Sequence, residues 1–319
     1  MLPTNLKIID SHAHFLVKGM GIGCYRDEYI DRFGEEKWNR LQSMNEFQRD
    51  QWRRAWGFPD VQPPKESIEE TALQWKEDLE KKNIEKIIFA TAGNYEKSNA
   101  NMEKIVKMYP EKFIGYAYHD PFSSDAPELL EKAIIEQGLK GFKILAPDLN
   151  GRIDDPKLDR LWKVAEKYRI PVLIHFGILG GAGGIAYHPN ISPIILHDVA
   201  KAYPDVPFII PHFGCGQVKD ALQLAWACPN IYIDTTGSNQ WVRWMPYDLT
   251  VKDLFKKYYE TIGPHRIIFG TDGSWFPRGF VYRYAEDQYR DCVYLGFTES
   301  EINMIFNENI IRILENIKV

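Results

Sequence analysis

Asp10-Ser11-His12-Ala13-His14 follows the first apolar run of the chain, Leu6 to Ile9, and its reading decides the fold. A strand alternates its side chains between two faces, so histidines two positions apart point to the same side and can grip one cation. Four further polar residues hold the same place relative to an apolar run: Lys143 after Leu139–Phe142, His175 after Pro171–Ile174, His212 after Pro207–Pro211 and Asp272 after Arg266–Thr271. One histidine at a strand end is ordinarily a satisfied polar residue. The ordered set reads differently, because His175 and Asp272 complete the shell that His12 and His14 begin. Three imidazoles and one carboxylate suit a single divalent transition metal with an open coordination position, Zn2+ first and Mn2+ or Fe2+ as alternatives.

Outward from these residues, strand and helix patterns alternate eight times. Strands are expected near 6–10, 86–91, 113–118, 139–145, 171–175, 207–212, 230–235 and 266–271. Helical patterns lie near 67–83, 97–109, 125–138, 156–169, 192–203, 216–228, 249–262 and 281–295. Ser67 with Glu70 and Thr298 with Glu301 have capping-box spacing, and Asp155 precedes Pro156 at a helix start. Leu158, Leu161, Trp162, Ala165 and Tyr168 recur at three and four, which gives that helix one buried face. Strand–helix–strand repetition demands parallel pairing, and eight rounds predict a closed (β/α)8 barrel. Active sites in such barrels lie at the carboxyl ends of the strands, where all five signals fall.

The expected organisation is a single barrel domain over 1–319 with a lid-like insertion at 15–66 and a C-terminal helix. The insertion carries Tyr25, Arg26, Tyr29, Phe33, Trp38, Phe47, Trp52 and Phe58, ends in Pro63-Pro64, and hangs directly from His14. It is read as a partly helical flap over the barrel mouth, with Tyr25 and Arg26 reaching the substrate. Apolar residues make up 45% and aromatic residues 13% of the 319-residue chain, which supports a sizeable core. The net charge of −5 without a basic run argues against nucleic acid or an anionic membrane surface as partner. No apolar stretch reaches about 18 residues, so no membrane span is expected. Cys24, Cys215, Cys228 and Cys292 show no C-x-x-C pair, and the first strand begins almost at the N-terminus; both point to a reduced cytoplasmic protein.

The Asp-Ser-His-Ala-His start, Gly141-Phe142-Lys143, His175, Pro211-His212-Phe213-Gly214 and Phe269-Gly270-Thr271-Asp272 resemble the amidohydrolase superfamily. The nearest branch is the amidohydrolase-related group that holds aminocarboxymuconate-semialdehyde decarboxylase and several lactonases. Ile305-Phe306-Asn307-Glu308-Asn309-Ile310 resembles that group's C-terminal helix. The resemblance implies a mononuclear site with His12, His14, His175 and Asp272 as ligands and His212 beside the ion as a proton-handling or polarising group. It implies an ordinary lysine near the mouth for Lys143, held by ion pairing, in contrast to the carboxylated bridging lysine of binuclear relatives. A homodimer follows from the same resemblance.

Around this centre, Arg278 offers a planar fork for a carboxylate, and Trp275 and Trp241 offer flat apolar walls. His119 and His188 are further candidate substrate contacts, whereas His197 and His265 read as structural. The glycine-rich run 177–184 lacks the strand–turn–helix context of a dinucleotide fingerprint and reads as a loop at the mouth. These residues lead to an acidic, small, cyclic substrate. Two reactions fit: hydrolysis of a carboxylated ester, lactone or amide through a metal-activated water, with His212 and Asp272 handling charge and protons, or non-oxidative decarboxylation of an aromatic or muconate-type acid. The intact Asp-x-His-x-His favours hydrolysis, since many aromatic-acid decarboxylases of the resembled group carry Glu at the first His. A non-catalytic metal-binding protein is the third reading, and it leaves His212 without a purpose.

Overall fold

A computed structural model of the chain describes residues 2–20, 25–55, 57–179 and 186–319, with side chains for all of these except residues 25–28. The strands are β1 Ile9–His14, β2 Lys86–Thr91, β3 Phe113–Gly115, β4 Phe142–Leu145, β5 Val172–His175, β6 Phe208–Ile210, β7 Ile231–Asp234 and β8 Ile267–Ile268. The helices are α1 Tyr25–Phe33, α2 Glu35–Ala55, α3 Ile68–Lys81, α4 Ser98–Met108, α5 Ala126–Ile135, α6 Asp159–Tyr168, α7 His197–Ala202, α8 Val218–Ala227, α9 Val251–Ile262, α10 Tyr282–Tyr294, α11 Glu299–Asn303 and α12 Asn309–Glu315.

Every strand pair is parallel, in two sheets of order β1-β2-β3 and β4-β5-β6-β7-β8. The two seams are spanned by single parallel bridges, Ala13 with Gly273 and Ala117 with Phe142, and not by continuous ladders. Main-chain hydrogen bonds reinforce both seams, among them Asp272 N to His12 O at 2.8 Å and Lys143 N to Ala117 O at 2.8 Å. The architecture is the (β/α)8 barrel. Its interior is filled by Ile9, Ile88, Tyr116, Leu173, Ile209 and Ile268, against which α12 packs Ile310 and Ile313. The opposite strand faces, such as Ile87 and Phe89 on β2, join a separate core beneath the helices. This split follows from the two-residue alternation of a strand closed into a ring.

The helices form where the apolar period and the end signals agree. In α6, Leu161, Trp162 and Ala165 are buried on one face, and Asp155 caps the turn of 3₁₀ helix at Pro156–Leu158 that leads into it. Thr298 and Glu301 form a reciprocal capping box, whereas Ser67 accepts the N–H of Glu70. The segment expected as one helix at 192–203 divides into a 3₁₀ turn, Pro193–Leu196, and the short α7. The segment after β1 contains α1 and α2, with no strand among its described residues. No described helix is long and apolar enough to cross a membrane.

The first strand corrects the sequence reading. It runs through the histidines instead of ending before them, and its register with β2 shifts between Asp10 and Ala13 and again between Ala13 and His14. Strict alternation from the inward Ile9 would turn His12 and His14 outward. The irregularity moves Ala13 to the outer core and leaves both imidazoles facing the barrel mouth.

Candidate active site

His12, His14, Lys143, His175, His212 and Asp272 meet in one cavity of about 610 Å3 at the carboxyl ends of the strands. One ring nitrogen each from His12 and His14 and one carboxylate oxygen of Asp272 lie within 4.8 Å of one another. His14 Nε2 and Asp272 Oδ1 are 3.3 Å apart, the separation of about 3.3 Å expected of two ligands held tetrahedrally around an ion about 2.05 Å away. His175 lies outside that trio. It borders His212, with ring centroids 5.1 Å apart, and its buried Nε2 has no hydrogen-bond partner among the described residues. An orphaned imidazole nitrogen beside two further histidines and a carboxylate is the arrangement a metal ligand presents to an ion.

The residues behind the histidines fix which nitrogen faces the cavity. Asp234 Oδ2 lies 3.0 Å from His12 Nδ1, so the carboxylate accepts the Nδ1–H and leaves the Nε2 lone pair forward. Thr91 Oγ1, 2.7 Å from His14 Nδ1, does the same for His14. Thr236 O, 3.1 Å from His212 Nδ1, accepts the proton there and leaves Nε2 free for proton exchange. Asp234 Oδ1 in turn accepts the Thr236 N–H at 2.6 Å and the Thr236 hydroxyl, so one buried carboxylate organises two imidazoles. Asp10 is also buried, and it ties β1 to the end of β8 by accepting the Thr271 N–H at 2.8 Å. Burial pushes its carboxyl up to about 7, against the pull of its Thr271 bonds.

Electrostatics prepares the group for a cation. Burial pulls the His12 imidazolium down to about 3, with the nearby Lys143 charge adding to the effect. Burial also lowers His14 and takes His175 well below its usual range. All three are therefore neutral donors at pH 7, as metal ligation requires. Burial alone would raise Asp272, but the close approach of His14 and the other surrounding imidazoles overcomes it and holds the carboxyl well below the usual range. Lys143 does not form the ion pair expected near the mouth. It is 1% exposed, its Nζ lies 3.3 Å from His12 Nε2, and desolvation brings its ammonium down to about 8. His212 (φ 58°) and Asp272 (φ 59°) both adopt left-handed backbone, a costly conformation for non-glycine residues that aims them where regular strand geometry would not.

The remaining sequence candidates divide. Trp241 is buried and lines the cavity. Arg278 and Trp275 do not line it: Arg278 Nη2 donates to Asp272 O at 2.6 Å, and its guanidinium stacks 4.9 Å from the Trp275 ring. That pair buttresses the loop carrying Asp272 from behind. His119 is buried beneath the site, with Nε2–H donating to Ala126 O at 3.1 Å and Nδ1 accepting from Asn99 at 3.2 Å. It is a fully satisfied neutral core histidine, held at about 4 by burial. His188 is exposed in a 3₁₀ turn outside the cavity lining. The Tyr25 and Arg26 side chains, Cys24 and residues 180–184 of the glycine-rich run lie outside the described residues. Among the described residues the insertion reaches the cavity through α2, with Asn45, Gln48, Arg49 and Trp52 along one helical face. Asp234, Thr91 and the α2 face are the functional groups that sequence reasoning missed. Asp234 ends the apolar run Ile231–Ile233, the same signal that singled out His175.

Fold and site together define a metal-dependent (β/α)8 enzyme. Residues 9–315 match the family model Amidohydro_2, described as amidohydrolase, and the chain belongs to that family. It is thus an enzyme of the metal-dependent amidohydrolase superfamily. Comparison with curated proteins finds no match. Solved structures share the fold at low identity. A probable 2-pyrone-4,6-dicarboxylic acid hydrolase of Acinetobacter baumannii, with citric acid bound, has TM-score 0.64 and 14% identity over 97% of this chain and 99% of its own. The 5-carboxyvanillate decarboxylase of Sphingomonas paucimobilis has TM-score 0.59 and 12% identity over 98% and 100%. An amidohydrolase of Burkholderia multivorans with bound zinc has TM-score 0.59 and 12% identity over 97% and 99%.

Proposed function

We propose that the protein is a hydrolase of small carboxylated cyclic esters, lactones or amides, dependent on one divalent transition metal, Zn2+ first among the candidates. The observation that carries this reading is the trio His12, His14 and Asp272, neutral imidazoles and a charged carboxylate with converging ligand atoms, and with the orphaned His175 Nε2 in the same cavity. These four residues would hold the ion, which when bound supplies Lewis acidity and brings a water's pKa towards neutrality. Asp272 directs one oxygen at His14 and is 35% exposed on its side chain, so its second oxygen is open to accept a proton from the attacking water. His212 Nε2, oriented by Thr236, passes a proton to or from the substrate's leaving group. Trp241 and Trp52 give the cavity apolar walls. Arg49 and Arg243 line its mouth without an ion pair among the described residues, which supports an acidic substrate in place of the role first considered for Arg278. The free thiols of Cys215, Cys228 and Cys292 support a reducing, cytoplasmic setting.

Decarboxylation is the second reading, favoured by the 5-carboxyvanillate decarboxylase among the structures that share this fold. There the same residues would bind the acid, and His212 or Asp272 would deliver a proton to the carbon that loses CO2. The test is a screen of the metal-loaded protein against lactones, amides and hydroxybenzoic acids, with acid release and CO2 release recorded separately. Acid release without CO2 supports hydrolysis; CO2 release selects the second reading.

A further inference from the structure

Gln240 opens the 3₁₀ turn Gln240–Trp244 after β7 and lines the cavity. The turn is stiff: Asn239 Nδ2 donates to Thr235 O at 3.0 Å, and Trp241 Nε1 donates to Asn239 Oδ1 at 3.2 Å. From above, Trp52 on α2 donates its indole N–H to Gln240 Oε1. An indole can only donate, so this bond settles the orientation of the amide: Oε1 faces the helix and the Nε2 donors face the other way. Gln240 is 7% exposed, and Nε2 is buried without a hydrogen-bond partner among the described residues. A desolvated amide donor is costly to leave unpaired, and a site built to hydrogen-bond its ligand is where such a group persists.

We propose that Gln240 is a substrate-positioning residue whose Nε2–H donors bind a carboxylate oxygen of the substrate, with Trp52 holding the amide in the required orientation. This rests on the reading of the cavity as the substrate site and names the residue that orients the acid within it. It also assigns α2 a task. The position of α2 over the mouth brings Trp52 to Gln240, so the helix that covers the cavity also aims the donor. Phe58, stacked on Trp52 with ring centroids 5.1 Å apart, holds the indole in place.

The experiment is calorimetric titration of the zinc-loaded protein with 2,6-dihydroxybenzoate, a small flat acid, in wild type, Gln240→Glu, Gln240→Met and Trp52→Phe. Gln240→Glu keeps an acceptor for the Trp52 N–H but replaces the donor by a second acceptor, so Kd should rise at least about thirtyfold with the melting temperature preserved. Gln240→Met should cost about tenfold and Trp52→Phe about three- to tenfold, through loss of the donor and of its orientation respectively. A purely structural latch predicts the opposite order: Gln240→Glu binds like wild type, while Gln240→Met and Trp52→Phe weaken equally. That result overturns the proposal, as does a wild-type protein with full metal content that fails to bind the acid at about 10 mM. Failure of the hydrolase reading appears elsewhere, as zinc absent from the purified protein or no turnover in the substrate screen, and leaves the comparison of binding affinities to be read independently.

Discussion

Asp234→Asn should weaken metal binding without touching a proposed ligand. In the native arrangement Asp234 accepts in all its bonds: from His12 Nδ1 at 3.0 Å, from Thr236 N at 2.6 Å, from the Thr236 hydroxyl and, more weakly, from His212 N at 3.4 Å. An asparagine amide has one acceptor oxygen and one donor nitrogen. If the oxygen stays on Thr236, the NH2 group confronts His12 Nδ1–H, and the proton must move to Nε2, the atom that faces the cavity. If the amide turns over, the NH2 group confronts the Thr236 N–H. Either arrangement loses a charge-assisted hydrogen bond of about 1.5–3 kcal/mol; the first also loses the tautomer that ligation needs, and the second keeps it only by breaking the Thr236 bonds that hold the side chain in place. The dissociation constant for Zn2+ should therefore rise about 10- to 100-fold, measured by competition with a chromophoric chelator of known affinity. Far-UV circular dichroism should be unchanged. A zinc affinity equal to wild type would refute the argument that Asp234 sets the His12 tautomer.

Further outcomes are expected from residues around this network. His212→Ala should retain the metal and lower kcat about two to four orders of magnitude with the substrate found by screening; undiminished turnover removes its proton-handling role. His119 stays neutral when folded, with a pKa near 4 against 6.5 when unfolded, so its contribution to stability is complete above pH 6.5 and is lost as the pH falls towards 4. His119→Gln should flatten that acid loss by on the order of 3 kcal/mol in urea unfolding at pH 7 and pH 4, and an identical pH dependence in both proteins contradicts the assignment. Arg278→Met should reduce unfolding free energy by about 1–2 kcal/mol through the lost bond to Asp272 O, with KM little changed; a large KM increase without destabilisation would restore the carboxylate-binding role.

Much of this was legible in the sequence because each strand is a short apolar run that stops at a polar residue. In a parallel barrel, such stops collect at one rim, so His175, His212, Asp272 and Lys143 reach one cavity. What escaped depends on features that periodicity does not encode. The register irregularity in β1 reverses the facing of His12 and His14 relative to Ile9, and nothing in Asp-Ser-His-Ala-His marks it. Asp234 carries the same strand-end signal as the others, but its partner His12 is 222 residues away. Arg278 looked like a ligand for substrate because it follows Asp272 closely; the loop instead folds back so that the guanidinium meets the Asp272 carbonyl. His119 sits near a strand end, yet its ring is turned into the core against Phe142, with ring centroids 4.7 Å apart. In the insertion, aromatic content was visible, whereas the part of Trp52 and Arg49 in the cavity depends on which face α2 lays on it.

Elemental analysis of the purified protein and of His12→Ala and His175→Ala, after dialysis against metal-free buffer and with circular dichroism on the same samples, tests the metal centre most directly. The account predicts close to one divalent transition metal per wild-type chain and little in either variant, with all three folded, because the barrel core of Ile9, Ile88, Leu173, Ile209 and Ile268 does not depend on the ion. Full occupancy in both variants, or two metals per chain with Lys143 carboxylated between them, would contradict it.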